Sequence, residues 1–331
     1  MNKLEIKKSI RKIVPDFLIR PILNMYRVGK FIFISGSNNT KDLKLLHEIQ
    51  LDRLKANHNQ RNILVQKYKD LHADLSQKEL CRANEFKVSS QHGEDGLIMY
   101  IFSKIGAVNH KFIEFGAGGK TSNTENLIVN FGWSGLLIDG SQEALDDTKS
   151  RYKSYGISDD KVKALCSWIT KDNINELFAK SGMDGEIDLL SIDIDGNDYW
   201  IWEAIDNINP RLVVVEYNAS LGKNKNLVMP YDEKHFNRFK FESLGLFYGA
   251  SIGAFNYLAE KKGYSLVCCE SSGVNAFFVR NDLLDNNFIK ITPEEAFYED
   301  QYRNTLGSFK IQSEVVKKLN FMEVGNNDEI N

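Results

Sequence analysis

The chain has 331 residues, 42% of them hydrophobic and 11% aromatic, enough to bury a full core in one large domain or two smaller ones. A formal net charge of −3 gives no global attraction to nucleic acid, so no polyanionic partner is implied. The four cysteines, Cys81, Cys166, Cys268 and Cys269, show neither CxxC nor Cys/His ligand spacing and read as reduced thiols. No apolar stretch reaches the roughly 20 residues that cross a bilayer. The start of the chain also lacks the apolar run and cleavage site of a secretory signal, so the expected location is the cytoplasm.

Residues 1–34 form a basic segment. Lys3, Lys7, Lys8, Arg11, Lys12, Arg20, Arg27 and Lys30 face only Glu5 and Asp16, and apolar residues such as Ile6, Ile10, Ile13 and Phe17 lie between them. Such a segment can lie peripherally on the inner face of an anionic membrane, gaining about 1 kcal/mol per nearby cation. The same pattern suits a helix packed on the rest of the protein, and Pro15 and Pro21 interrupt any single long helix. Residues 35–85 read as a linker, from Ser35-Gly-Ser-Asn-Asn39, followed by a helical extension. Its stripe of Leu64, Tyr68, Leu71 and Leu75 suits packing or contact with a second copy of the chain, but no sustained heptad marks a coiled coil.

From Lys111 onward, short apolar runs alternate with helical stretches. The runs predict strands at Lys111–Phe115, Gly135–Ile138, Val162–Cys166, Ile187–Ile194 and Leu212–Tyr217, the pattern of a parallel sheet covered on both faces. A helix over Ser251–Lys262 then leads to two more strands, Ser265–Cys269 and Ala276–Val279, joined by a turn at Glu270-Ser-Ser-Gly-Val-Asn275. A closing hairpin after five α/β units differs from a plain dinucleotide-binding domain.

The chemistry concentrates at the ends of these strands. Phe112-Ile-Glu-Phe-Gly-Ala-Gly-Gly-Lys-Thr121 runs a strand into a glycine-rich turn, with Glu114 before Gly116, Ala117 and Gly118. Glycines there let the backbone approach a ligand closely at the crevice of an α/β sheet. Gly119-Lys120-Thr121 matches the second half of a phosphate-binding loop, but Glu114 holds the first glycine position and would repel phosphate. A dinucleotide fold requires a small residue where Thr121 stands, and an acid in its turn opposes pyrophosphate. S-adenosylmethionine carries a cationic sulfonium and an ammonium group, so Glu114 suits it. Asp139 closes the second strand about twenty residues on and can accept both hydroxyls of a ribose, in this cofactor or in NAD. Ser167 and Trp168 follow the third strand, where an adenine ring could stack, although Trp168 suits a core position equally.

The fourth strand ends in Asp193-Ile-Asp195-Gly-Asn-Asp198 and the fifth in Glu216-Tyr-Asn218. Asp193, Asp195, Glu216 and Asn218 at neighbouring strand ends make a candidate oxygen site for Mg²⁺ or Mn²⁺. Asp195 and Asp198 also suit capping of the following helix. Asp193-x-Asp195 matches the short signature of metal-dependent nucleotide-sugar glycosyltransferases, and the Glu114-to-Asp139 spacing also fits a nucleotide-dependent oxidoreductase. Ser89-Ser-Gln91-His-Gly-Glu-Asp-Gly96 is a polar cluster able to close over a ligand, with Ser90 and Glu94 equally suited to capping. His235, in the loop after the fifth strand, is a candidate base.

These segments together resemble the FkbM-like group of class I methyltransferases. The resemblance rests on Ser90-Gln-His-Gly-Glu-Asp95, the Glu114–Gly118 turn, Asp139, Ile192-Asp-Ile-Asp-Gly196 and Asn275-Ala-Phe-Phe-Val-Arg280, and covers about two hundred residues. It departs at Lys120, where such turns often carry a third glycine, and in the more acidic Asp195 and Glu216-Tyr-Asn218. It implies an α/β, Rossmann-like fold with a mostly parallel seven-stranded sheet, a C-terminal antiparallel hairpin and a helical N-terminal extension. The methyltransferase domain would cover residues 86–290, with 291–331 as a tail. It also implies S-adenosylmethionine as cofactor, held by Gln91, Glu114, Gly116, Ala117, Gly118, Asp139, Ser167 and Trp168. A small-molecule or glycan acceptor would be methylated on a sugar hydroxyl, with Asp193, Glu216 or His235 as base.

Overall fold

The computed structural model describes residues 75–233, 238–240, 243–284 and 288–325. The basic segment 1–34, the extension up to residue 74 and His235 lie outside the described residues. No helix among the described residues is long and apolar enough to cross a membrane.

Seven strands form one sheet: β1 (Lys111–Phe115), β2 (Ser134–Asp139), β3 (Val162–Cys166), β4 (Gly185–Ile192), β5 (Ile208–Glu216), β6 (Tyr264–Cys269) and β7 (Asn275–Arg280). Their order is 3-2-1-4-5-7-6. The first five run parallel, and β7 inserts antiparallel between β5 and β6. This order, with its reversed seventh strand, is the class I methyltransferase fold, as the closing hairpin predicts.

The helices follow from the alternation of the strands. In β5, Val213 and Val215 face a core shared with α5 (Ile174–Ser181), α6 (Asp198–Ala204) and α7 (Ile252–Lys261). Leu212 and Val214 face the opposite core with α1 (Gln77–Asn84), α2 (Glu94–Ile105), α3 (Glu125–Phe131) and α4 (Gln142–Ser154). Strands apolar on both sides need cover on both sides, which gives three layers.

Residues 291–325, expected as a tail, add α8 (Pro293–Ala296), α9 (Gln301–Leu306) and α10 (Phe309–Val316) to the domain. Tyr217 Oη donates to the Tyr298 carbonyl at 2.8 Å, and Ser220 Oγ donates to Gln312 Oε1 at 2.6 Å. Ile291, Ala296 and Val316 are buried against the rest of the domain, and Phe297 packs on Tyr217, 6.2 Å between ring centroids.

At the opposite, amino-terminal end of the sheet, fully buried Asp188 of β4 accepts the N–H groups of Val108, Asn109 and His110 at 2.8, 3.0 and 2.5 Å. The Arg211 guanidinium lies 3.6 Å from it. This carboxylate anchors the entry to β1, and removing it leaves three amides without their acceptor and takes from buried Arg211 one of its two acidic neighbours, Glu186 remaining. Asp188→Ala is therefore expected to cost about 3–5 kcal/mol in urea unfolding. Loss below about 1 kcal/mol would show that the anchor is dispensable.

Candidate functional site

A cleft of about 410 Å³ opens over the carboxyl ends of β1, β2 and β4, a size suited to a small organic ligand. Gly116 lies where β1 meets β4, with φ of 68°. A Cβ at Gly116 would stand 1.9 Å from the Asp193 carbonyl oxygen, so only glycine fits. Asp139 at the end of β2 is fixed by two amides: the Gly118 N–H donates to Oδ2 at 2.8 Å and the Ser141 N–H to Oδ1 at 2.7 Å. Each oxygen retains acceptor capacity toward the cleft. Gly140, Ser141, Ser167, Trp168 and Ile169 continue the wall. The half-exposed Trp168 ring packs over Gly140, where a Cβ would lie 3.3 Å from the indole.

The structure thus brings Gly116, Asp139, Ser167, Trp168, Asp193 and Asp195 together around one cleft. Four residues expected to hold the cofactor do not line this cleft. Glu114 is buried and accepts from Ser122 Oγ at 2.7 Å, the Asn123 N–H at 2.8 Å and Thr124 Oγ1, so it ties down the loop after the glycine turn. Burial raises its pKa, opposed by those hydrogen bonds. Ala117 is buried and does not line the cleft, and Gly118 contributes through its amide to Asp139. Gln91 is exposed, away from the cleft lining.

The polar cluster around Gln91 is a fastening. Asp95 Oδ2 accepts the N–H groups of Val88, Ser89 and Ser90, at 2.7, 2.7 and 2.8 Å, and Ser90 Oγ at 2.8 Å. Glu94 accepts the His92 N–H at 2.7 Å and Asn275 Nδ2 at 2.8 Å. The N-cap of α2 is Gly93 without a side-chain hydrogen bond, and Ser90 Oγ instead accepts the first-turn Asp95 N–H at 3.2 Å. The Ser122 N–H donates to the Ser89 carbonyl at 3.1 Å, so this fastening also steadies the loop that Glu114 holds.

At the β4 and β5 ends, carboxylate oxygens of Asp193, Asp195 and Glu216 lie within 4.8 Å of one another. Burial, followed by the charges of Asp195 and Asp198, pushes the Asp193 carboxyl up to about 8. Burial and the neighbouring Asp193 push Glu216 well above the usual carboxylate range. Glu216 Oε2 is closed to solvent and has no hydrogen-bond partner. Asp195, at φ 57°, turns outward to an ion pair with Arg238 at 2.8 Å. Arg238 supplies the compensating cation that the motif reading lacked; nothing in its sequence context marks it.

Asn218 does not join the acids. Its fully buried carboxamide donates to the Leu246 and Tyr248 carbonyls at 2.8 and 3.0 Å and accepts the Ser220 N–H at 3.1 Å, which engages it in the loop after β5. Asp198, pushed up to about 6 mainly by burial, accepts the N–H groups of Ile194 and Gly196 at 2.8 and 2.9 Å. It folds the loop that presents Asp193. Asn197, another cleft residue that the sequence reading passed over, follows directly from that loop.

Charge distinguishes the cleft. Among the described residues its lining carries Asp139, Asp193 and Asp195 and no lysine, arginine or histidine, with Arg238 paired to Asp195. Such a surface favours a cationic ligand and disfavours a diphosphate.

No family model matches the chain, and no curated protein matches its sequence. Among solved structures, it is similar to an S-adenosylmethionine-dependent methyltransferase from Clostridium acetobutylicum, at 12% identity over 56% of this chain and 90% of that one, with a TM-score of 0.36. It is also similar to an O-methyltransferase from Bacillus cereus in complex with S-adenosylhomocysteine, at 14% identity over 67% of this chain and 89% of that one, with a TM-score of 0.37. Likenesses this distant carry no argument about what this chain binds; the fold assignment stands on the strand order.

Proposed function

We propose that the chain is an FkbM-like, S-adenosylmethionine-dependent methyltransferase acting on a hydroxyl of a sugar or glycan. The observation that carries this reading is the acid-lined cleft at the switch point of a class I methyltransferase sheet. The anchored Asp139 carboxylate suits ribose hydroxyls near a cationic centre and opposes pyrophosphate, while Arg238 pairs with Asp195 and Asp193 holds a proton.

In this reading Asp139 accepts the ribose hydroxyls, Trp168 and Ser167 border the adenine, and Gly116 lets the ligand approach the backbone. Glu114 acts through the loop at residues 122–124. When bound, S-adenosylmethionine supplies a methyl group already activated for in-line displacement. The chain's remaining task is to align the acceptor and take its proton, and alignment supplies several kcal/mol of the barrier. Asp193 is the base of choice: a cationic ligand beside it favours its ionised form, and Glu216 next to it can share the proton it receives.

A divalent cation is a second reading, favoured by the three oxygens within 4.8 Å and the unpartnered Glu216 Oε2. Asp193, Asp195 and Glu216 would hold Mg²⁺ or Mn²⁺, Arg238 would leave Asp195, and the ion would lower the acceptor hydroxyl's pKa.

Asp139→Ala is expected to weaken S-adenosylhomocysteine binding by about 1.5–3 kcal/mol, read by calorimetry. Unchanged affinity in a folded variant would remove Asp139 from the cofactor site.

Asp193 can be tested without knowing the acceptor. Its folded pKa of about 8 lies above the unfolded value of about 3.9, so its contribution favours the folded state at low pH. That contribution fades as pH rises from about 4 to about 8. Asp193→Asn should flatten the fall in stability across this window and unfold at a higher temperature than wild type at pH 8. Equal pH dependence in the two proteins would refute a buried, proton-holding Asp193.

Once an acceptor is in hand, turnover should rise with pH toward about 8 and survive excess chelator, and Asp193→Asn should lower kcat about 10²–10⁴-fold. Loss of turnover in chelator, restored by Mg²⁺ or Mn²⁺, would replace the proton-sharing pair with the metal reading.

A further inference from the structure

The backbone that follows β5 is tied to the cofactor cleft at successive residues. Trp200 Nε1 donates to the Met229 carbonyl at 2.7 Å, and the Lys171 N–H donates to Tyr231 Oη at 3.1 Å. Lys171 Nζ also lies over the Tyr231 and Trp200 rings, 4.7 and 5.2 Å from their centroids. Asn197 grips Asp232 in both directions: Nδ2 donates to its carbonyl at 2.6 Å, and its N–H returns to Oδ1 at 3.2 Å. Trp168 Nε1 donates to the Glu233 carbonyl at 3.0 Å. Five residues later Arg238 returns to Asp195.

Three of these tying residues, Trp168, Asn197 and Asp195, themselves line the cleft. Each therefore has one side toward the ligand space and one bond to the segment. A ligand that fixes these side chains also fixes the hydrogen-bonding groups that hold residues 229–233 and Arg238. Arg238, paired with Asp195, also interacts electrostatically with Asp193 and Glu216, the pair assigned to the acceptor in the proposed function.

We infer that Trp168 and Asn197 are positioning residues that couple occupancy of the cofactor cleft to the placement of residues 229–233 as the acceptor-side wall. This rests on the proposed cofactor. The coupling is reciprocal: a wall held by a ligated cleft binds acceptor more tightly, and a bound acceptor retains the cofactor by the same factor. Its origin would be side-chain ordering: a ligand packed on the half-exposed Trp168 ring favours the rotamer whose Nε1 reaches Glu233.

Amide hydrogen exchange of the peptide containing residues 229–233, with and without saturating S-adenosylhomocysteine, tests this. In the wild type, the ligand is expected to slow exchange at the Asp232 amide about tenfold. Trp168→Phe keeps an aromatic ring and loses the Nε1–H. At saturating ligand, whatever its affinity, the slowing should fall to within about twofold. If S-adenosylhomocysteine binds calorimetrically and exchange at 229–233 stays unchanged, the coupling is wrong and the cofactor assignment stands. Full slowing retained in Trp168→Phe also overturns it. Absence of binding in the wild type overturns both.

Discussion

The approach of Gly116 to the Asp193 backbone sets the rest of the site. β1 pairs with β4 through Phe112–Leu189, Ile113–Leu190 and Glu114–Ser191, and continuing that register places Gly116 opposite Asp193. The strand order reverses between these two strands, so the chain must leave in opposite directions at one point and open a crevice there. With no room for a Cβ, the two backbones touch, and the crevice floor is peptide rather than side chain. The acid at the end of β4 therefore stands at the cleft by backbone register alone.

The carboxylates around this point divide by their partners. Glu114, Asp139, Asp198, Asp95 and Glu94 each accept at least two hydrogen bonds from loop backbone or short polar side chains. Such bonds hold loops in single conformations. Asp193 and Glu216 differ in facing each other: the charge of Asp193 adds to burial in raising Glu216, and the closed Glu216 Oε2 has no partner. In the proposed function this is the pair that handles the acceptor proton.

Much of the fold was legible because apolar runs map directly onto strands buried on both sides. β1 and β3 fall on the residues that the sequence predicts, and the closing hairpin separates this sheet from a dinucleotide fold. β5 begins four residues earlier than predicted, at Ile208, because Pro210 and Arg211 break the apolar run. Arg211 is nonetheless buried, compensated by Asp188 and Glu186, a pairing invisible to hydropathy. Around the cleft, Gly116, Asp139 and Asp193 stand where their strand ends carry them, with Glu216 beside Asp193. Errors arose where a side chain had a choice of direction. Glu114 shares its side of β1 with Phe112, which packs toward α2–α4, and so turns to the neighbouring loop. Asn218 lies one turn beyond its strand and stabilises the 3₁₀ turn Ala219–Leu221 instead. Arg238 comes from a distant loop, and no local pattern announces its pairing with Asp195.

The order 3-2-1-4-5-7-6 leaves β6 at one margin of the sheet, a row of backbone groups that invites a foreign strand. Here that row is taken up from within the chain. The Ile291 N–H donates to the Leu266 carbonyl at 3.0 Å, and Gln77 Nε2 to the Val267 carbonyl at 2.7 Å. An irregular register between Leu266 and Cys268 bends the strand further out of template geometry. Segments from both ends of the described chain thus act as gatekeepers, closing this margin to the strand-on-strand addition that seeds aggregation.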